Sequence, residues 1–430
     1  MSGADEHIRR EVEASLKLAS DQQLARIMQF IDRLPSRVKL DKVVEQVRGR
    51  LALVRPARSM TLLRVLALPF EDLLVSPELA ATSPWYVPRD LVATLGGLTM
   101  TALPEAERRR AAAMAEGRTM DDQAAVLELG AILWPAGAVA ARDALAKGGV
   151  FQGDEMRRRA LAGTASVLDY GEEVVSFMEQ LPPRPMPALR DDERGAAMSL
   201  MYSLGQGSAD LFRYAFTMLV RRSSEPMEFF DLLLNADFGI PPEARDLVLK
   251  EAAHECLSEV DHMGRDMEAS PDRPVAAGAE AALRMASLIE SLESAPPQVK
   301  LNAKQLAETK RRASSSVVKS YQGALSGEMR DTFQAVANPP QGDLAADEEV
   351  ARAEMTARAT RKLELAGGRL GAGAELERTM ATQFAGYREQ IVKKAEKIRG
   401  PRMARLSKVM DEVRLLEIVF GPDAAGDVLI

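Results

Sequence analysis

Two of the three histidines and the only cysteine fall in one short run: His254-Glu255-Cys256, followed by Glu259, Asp261 and His262. Glu259 and His262 have the Glu-x-x-His spacing, and Glu255 precedes Glu259 by four residues. On a helix these three side chains share a face, so they are the candidate metal ligands of the chain. In helical bundles, two such motifs and two further glutamates hold a di-iron or di-manganese centre. Here only one copy exists, because His7 has no glutamate three residues before it. A second half would have to come from distant carboxylates such as Glu172 and Glu173. His254 and His262 are eight apart rather than four, which excludes the zinc-protease arrangement His-Glu-x-x-His. The plainer reading of the same run is a polar helix face beside a small buried thiol.

No cofactor is expected from the rest of the sequence. The glycine-rich stretch 366–374 has no strand before it and no Gly-Lys-Ser/Thr after it, so it reads as a hinge between helices rather than a phosphate cradle. The Arg triplets 108–110 and 157–159 sit among acidic neighbours and read as solvated helix faces.

The elements around the 254–262 run are helical. Residues 194–263 hold five of the twelve phenylalanines and two of the six tyrosines, which marks the best-packed core. Residues 196–222 carry apolar side chains at three- and four-residue steps and read as one helix, weakened at Gly205 and Gly207. Ser224 is placed to cap the next helix, whose apolar run reaches Phe238, and Gly239 to end it. A third helix spans 243–263. Asp90–Gly148 reads as three short helices, the last broken at Pro135 and Gly137, and Phe151–Leu181 as two more. Amphipathic periods also mark residues 4–34 and 40–51. There is no strand-like alternation and no hairpin turn, so the fold class is all-α: an irregular multi-helix bundle of Pro-punctuated helices with a more extended, coiled-coil-like C-terminal region.

Composition bounds the class further. At 430 residues the chain has ample length for two or more domains. Four prolines within 182–187 mark a stiff linker. The expected division is an N-terminal helical domain (1–181), a Pro-rich linker (182–189), an aromatic-rich domain (190–295) and a basic, extended helical region (296–430). A single cysteine, no apolar leader and no run of 18 uninterrupted apolar residues point to a cytoplasmic protein without a membrane span. The abundance of alanine and arginine fits a high-GC bacterial genome.

Charge is uneven. Residues 1–295 carry 34 Lys and Arg against 45 Asp and Glu, and residues 296–430 carry 22 against 18. The basic stretches 300–319 and 391–408 are the places where nucleic acid could bind, although the whole chain is acidic, with a net charge of −7. From Leu376 the sequence steps by three and four through Phe384, Tyr387, Ile391 and Ile398, a heptad-like seam that needs a covering face. Trp85 and Tyr86, in a Pro-bounded loop, are the other candidates for partner contact. Three functions follow: a non-enzymatic scaffold or adaptor acting through a protein partner or self-association, a nucleic-acid-associated protein, or a metal-dependent enzyme centred on Glu259 and His262.

Overall fold

The computed structural model describes residues 58–423, apart from Pro183, Pro185, Pro187, 271–272, Lys300, 339–342 and 399–408, together with Gly426. The amphipathic periods at 4–34 and 40–51, and residues 399–408 of the basic 391–408 stretch, lie outside the described residues.

The described chain is all-α, as its periodicity requires. In order, the helices are α1 (Leu62–Ala67), α2 (Pro77–Ala80), α3 (Leu91–Ala102), α4 (Glu105–Ala115), α5 (Gln123–Lys147), α6 (Glu155–Leu168), α7 (Gly171–Met178), α8 (Asp191–Gly207), α9 (Ala209–Arg222), α10 (Met227–Asn235) and α11 (Pro242–Ala269). They continue as α12 (Val275–Glu293), α13 (Ala303–Ser326), α14 (Glu328–Ala337), α15 (Asp343–Arg369), α16 (Gly373–Lys397) and α17 (Met410–Phe420). Departures among the described residues are a parallel pair of two-residue strands, β1 (Leu74–Val75) and β2 (Val87–Pro88), and two isolated bridges, Ser59 with Thr119 and Met186 with Ser223. Two residues per strand are too few to leave an alternating pattern in the sequence.

Two compact units result. One comprises Arg58–Arg265 with Arg284–Ala313, and the other Asp266–Leu283 with Ser314–Ile430. The proline-rich 182–189 segment lies inside the first unit. Met186 N–H donates to Arg222 O at 2.8 Å, and Ser224 N–H donates to Met186 O at 2.7 Å. Met186 thus forms a bridge beside the end of α9.

In the first unit α5 is packed by α1, α3, α4, α6 and α7. Pro135 does not break it: the helix runs through, with Pro135 on its exposed side. Water can reach the carbonyl that loses its N–H partner there. The neighbouring Trp134 is fully buried and donates Nε1–H to Val65 O at 2.8 Å. Gly130 and Gly171 admit its ring, since a Cβ at either would lie within 3 Å of it. By length and composition α5 could also cross a membrane, but 56% of its apolar window is buried within the protein. That is the pattern of a core helix.

The 196–222 segment is two helices. Ser208 is extended (φ −172°) between α8 and α9, and its Oγ accepts from Leu211 N–H at 3.1 Å. Glycine at 205 and 207 lowers the cost of ending α8, and the serine gives α9 an N-cap. Ser224 does not cap α10; its hydroxyl donates to Met186 O, and Pro226 precedes the helix. Gly239 falls in the loop after α10, which ends at Asn235.

In the second unit Tyr387 and Ile391 of α16 are buried. The Tyr387 ring stacks on Phe333 at 4.4 Å, and its hydroxyl donates to Leu325 O at 2.6 Å. Phe384 is half-buried, 5.4 Å from the Phe420 ring, and Ile398 is half-buried at the end of α16. The seam is therefore covered in large part by its own unit. The glycine-rich stretch is a tight turn rather than a long hinge: Gly367 and Gly368 are helical, Gly371 takes φ +90°, and Ala372 N–H closes onto Gly367 O at 2.8 Å.

Removing the cap that separates α8 from α9 should weaken the first unit. Ser208→Ala is expected to cost about 1 kcal/mol, read as a lower urea midpoint with an unchanged slope.

Candidate functional site

The 254–262 run lies on α11, which starts at Pro242, the position where a missing N–H costs nothing. His254 is exposed, whereas Glu255, Cys256 and Glu259 are buried and His262 is half-exposed. The face carrying the two glutamates meets α9, in which every residue from Leu211 to Val220 is buried. That helix carries Arg213 into the core, where its side chain is 2% exposed. A guanidinium in such surroundings must be paired or it unfolds the protein around it.

Glu255 supplies the pairing. Arg213 Nη2 lies 2.6 Å from Glu255 Oε1, and Ser83 Oγ donates to the same oxygen at 2.8 Å. Arg213 Nη1 donates to Thr217 Oγ1 at 2.8 Å, and Nε lies 3.5 Å from Glu251 Oε2. The guanidinium also sits over the Trp85 ring, 5.5 Å from its centroid. Trp85 is fixed in turn, donating Nε1–H to Glu251 Oε2 at 3.2 Å and meeting Tyr214 edge-on.

One turn along α11, Glu259 is held by two arginines. Arg221 Nη1 donates to Oε2 at 3.0 Å and Arg284 Nε to Oε1 at 3.3 Å. Both arginines also satisfy backbone: Arg221 Nε–H donates to Asp72 O at 2.8 Å, and Arg284 donates to Val220 O at 3.0 Å and to Ser223 O. The Arg221 guanidinium lies 4.9 Å from the centre of the buried Tyr86 ring. Beside it, Asp72 takes Arg184 at 2.8 Å and Arg222 at 3.3 Å. His262 is apart from both carboxylate clusters in its bonding, with Nε2 3.0 Å from Ser76 Oγ.

Electrostatics separate the two glutamates. Burial pushes the Glu255 carboxyl above its ordinary range, against the opposing pull of Arg213 and Ser83. Burial acts the same way on Glu259, but Arg221 and Arg284 outweigh it and hold that carboxyl below the ordinary range. Burial, reinforced by Glu259, pushes the Cys256 thiol up to about 12. It is therefore a neutral, inert side chain near pH 7.

The arrangement joins Glu255 and Glu259 to arginines rather than to each other and His262. Among the described residues, no three His, Cys, Asp or Glu side chains are grouped as a metal ion would need. Glu173, proposed above as a distant ligand, instead accepts from Ser203 Oγ. Trp85 is half-buried and Tyr86 buried, so both act as packing against Arg213 and Arg221. The arginines that complete the site were missed in the sequence. Arg213 had a visible signal, a lone cation inside an unbroken aromatic and aliphatic run; Arg284 had none. No family model, curated protein or solved structure matches the chain.

Two outcomes are expected. Arg213→Met leaves Glu255 buried without its partner and should cost about 3–5 kcal/mol. The double variant Arg213→Met/Glu255→Leu should recover much of that loss, so a thermodynamic cycle in urea separates the pair from its surroundings. The second concerns acid. Because the Glu259 carboxyl is held below its ordinary value of 4.5 in the fold, its contribution is present above that value and lost as pH falls through the folded pKa. Glu255 acts with the opposite sign, since its raised carboxyl removes stability as pH climbs above 4.5. Urea midpoints between about pH 3 and 6 should fall less steeply toward acid in Glu259→Gln than in the wild type.

Proposed function

We propose that this chain is a helical scaffold that works through protein–protein contacts. The observation that carries the reading is the use made of its most chemistry-like residues. Glu255 and Glu259 spend their charge on Arg213, Arg221 and Arg284 inside a core, which fastens α9, α11, α12 and the 72–86 segment to one another. Such a centre fixes a shape.

Three cations of the basic stretch at 300–319 lend their charge in the same way. Lys310 pairs with Glu293 at 2.7 Å, Arg312 with Asp261 at 3.5 Å and Lys319 with Glu268 at 2.9 Å. Cations already neutralised by carboxylates release fewer counterions from a nucleic acid, which weakens that alternative. In 391–398, Lys393 and Lys394 pair with Glu389 and Glu412.

Surfaces suited to a protein partner are present. A groove of about 650 Å³ beside α8 and α10 is lined by Met198, Met227 and Leu232 together with Arg194, Glu225, Glu228 and Asp231. The C-terminal seam offers less, because Tyr387 and Ile391 are already covered. The single buried thiol is compatible with a cytoplasmic setting.

The test is capture by tagged full-length protein from its native lysate, with and without nuclease, read by mass spectrometry. A protein recovered in near-stoichiometric amount after nuclease, and reduced by Glu225→Lys/Asp231→Lys, is the expected result. Partners that vanish with nuclease, or a stoichiometric transition metal in the purified protein that His262→Ala removes, would overturn the reading.

A further inference from the structure

The groove beside α8 and α10 has free charge of one sign. Arg194 and Met198 lie one turn apart on α8, and Met227, Asp231 and Asn235 one turn apart on α10, so each helix turns one face to it. Met198, Met227 and Leu232 are half-buried, and Glu225 and Asp231 are exposed. Arg194, the cation among the lining residues, lies 2.7 Å from Glu228, whose other oxygen accepts from Leu189 N–H at 3.0 Å. Glu225 and Asp231 have no ionic partner among the described residues.

The surroundings keep the same sign. Residues 190–198 and 223–236 contain the whole lining, and together they carry two arginines against six carboxylates. The second arginine, Arg190, is bound to Glu193 at 2.7 Å. Shape narrows the ligand further. A drug-sized molecule needs most of its surface covered, whereas this site is an open groove. The described strands are two residues long and pair with each other, too short to template an added strand. Methionine at two of the apolar positions lets the floor conform to branched or aromatic side chains.

We propose that this groove binds a basic amphipathic helix of a partner protein. The helix lays its apolar stripe on Met198, Met227 and Leu232, and lysines or arginines flanking that stripe pair with Glu225 and Asp231. An acidic helix would set like charges together there, and an uncharged one would partly desolvate two carboxylates without a counter-ion. This assignment rests on the scaffold reading and states the chemistry of its partner. One helix in one groove buries less than the roughly 1,200 Å² of a standard interface. The complex is therefore reversible, with a dissociation constant on the order of micromolar or weaker.

Fluorescence anisotropy of a labelled leucine–lysine peptide with amphipathic helical spacing, titrated with the full chain, tests it. The expected result is saturable binding, weakened roughly tenfold or more by Glu225→Lys/Asp231→Lys. Met198→Ser/Leu232→Ser should weaken it as well. A leucine–glutamate peptide of the same pattern should not bind the wild type and should bind the Glu225→Lys/Asp231→Lys variant. A benzophenone on the apolar stripe of the basic peptide should cross-link to Met198 or Met227, read by mass spectrometry. Circular dichroism checks that each variant is folded. Absence of binding overturns the proposal, as does an affinity indifferent to both double variants. Equal binding by a lysine–serine peptide with no apolar stripe, or cross-links confined to other surfaces, overturns it too. The two readings fail separately. Peptide binding in the groove with no protein captured from lysate removes the scaffold and keeps the groove. Capture that survives Glu225→Lys/Asp231→Lys, with no peptide binding, removes the groove and keeps the scaffold.

Discussion

Glu259 keeps its charge inside the protein because two guanidinium groups from different parts of the chain reach it. Arg221 comes from the end of α9 and Arg284 from the middle of α12, and each also binds backbone carbonyls that would otherwise lack donors. Removing a carboxylate from water costs several kcal/mol, and an excellent partner geometry is needed to offset it. The geometry here is over-determined. Arg221 is packed on Tyr86 and hydrogen-bonded to Asp72 O, so it cannot swing away without disturbing the short β1–β2 segment.

The Arg213–Glu255 pair extends the same logic by one helical turn. Together the two clusters make α11 the strut of the first unit, and α9 the element wrapped on every side. Ionic pairs in a core contribute little net stability compared with apolar packing. What they supply is selectivity of arrangement: a register shift of α11 by one turn that set Glu259 against Arg213 would bring Met263 to Arg221 and Arg284 and leave both without a carboxylate. The surrounding aromatic rings, Trp85, Tyr86, Tyr214 and Phe216, fill the space around the guanidiniums and keep water from competing for them.

The helices were legible because their signals are local. Three- and four-residue periodicity marks α5, α9, α11 and α16, and prolines and glycines mark most of their ends. The errors arose where a local signal was overruled by its surroundings. Pro135 reads as a stop, but it faces outward in a helix whose other faces are gripped by neighbours. Ser208 reads as one more helical residue, but two nearby glycines make a break there inexpensive. Ser224 could have capped α10, and it found Met186 O instead. The site was half legible: the spacing of Glu255, Glu259 and His262 correctly placed two glutamates on one face. What they bind is set by residues 25 to 42 positions away. Periodicity carries no information over that distance, and an arginine looks alike in sequence whether it meets water or a buried carboxylate.

The first unit is discontinuous: Arg58–Arg265 is completed by Arg284–Ala313, while the residues between belong to the second unit. This has a bearing on how the chain is made. During synthesis, Glu259 leaves the ribosome when Arg221 is already outside but before Arg284 has emerged. Until residue 284 emerges, the carboxylate has one of its two partners, and the carbonyls of Val220 and Ser223 lack their donor. Translation at roughly 5–20 residues per second makes that interval a few seconds at most. It is still long compared with helix formation, which takes about a microsecond. The nascent first unit therefore waits, with its helices formed and its charged centre incomplete, for a residue encoded beyond its own first segment.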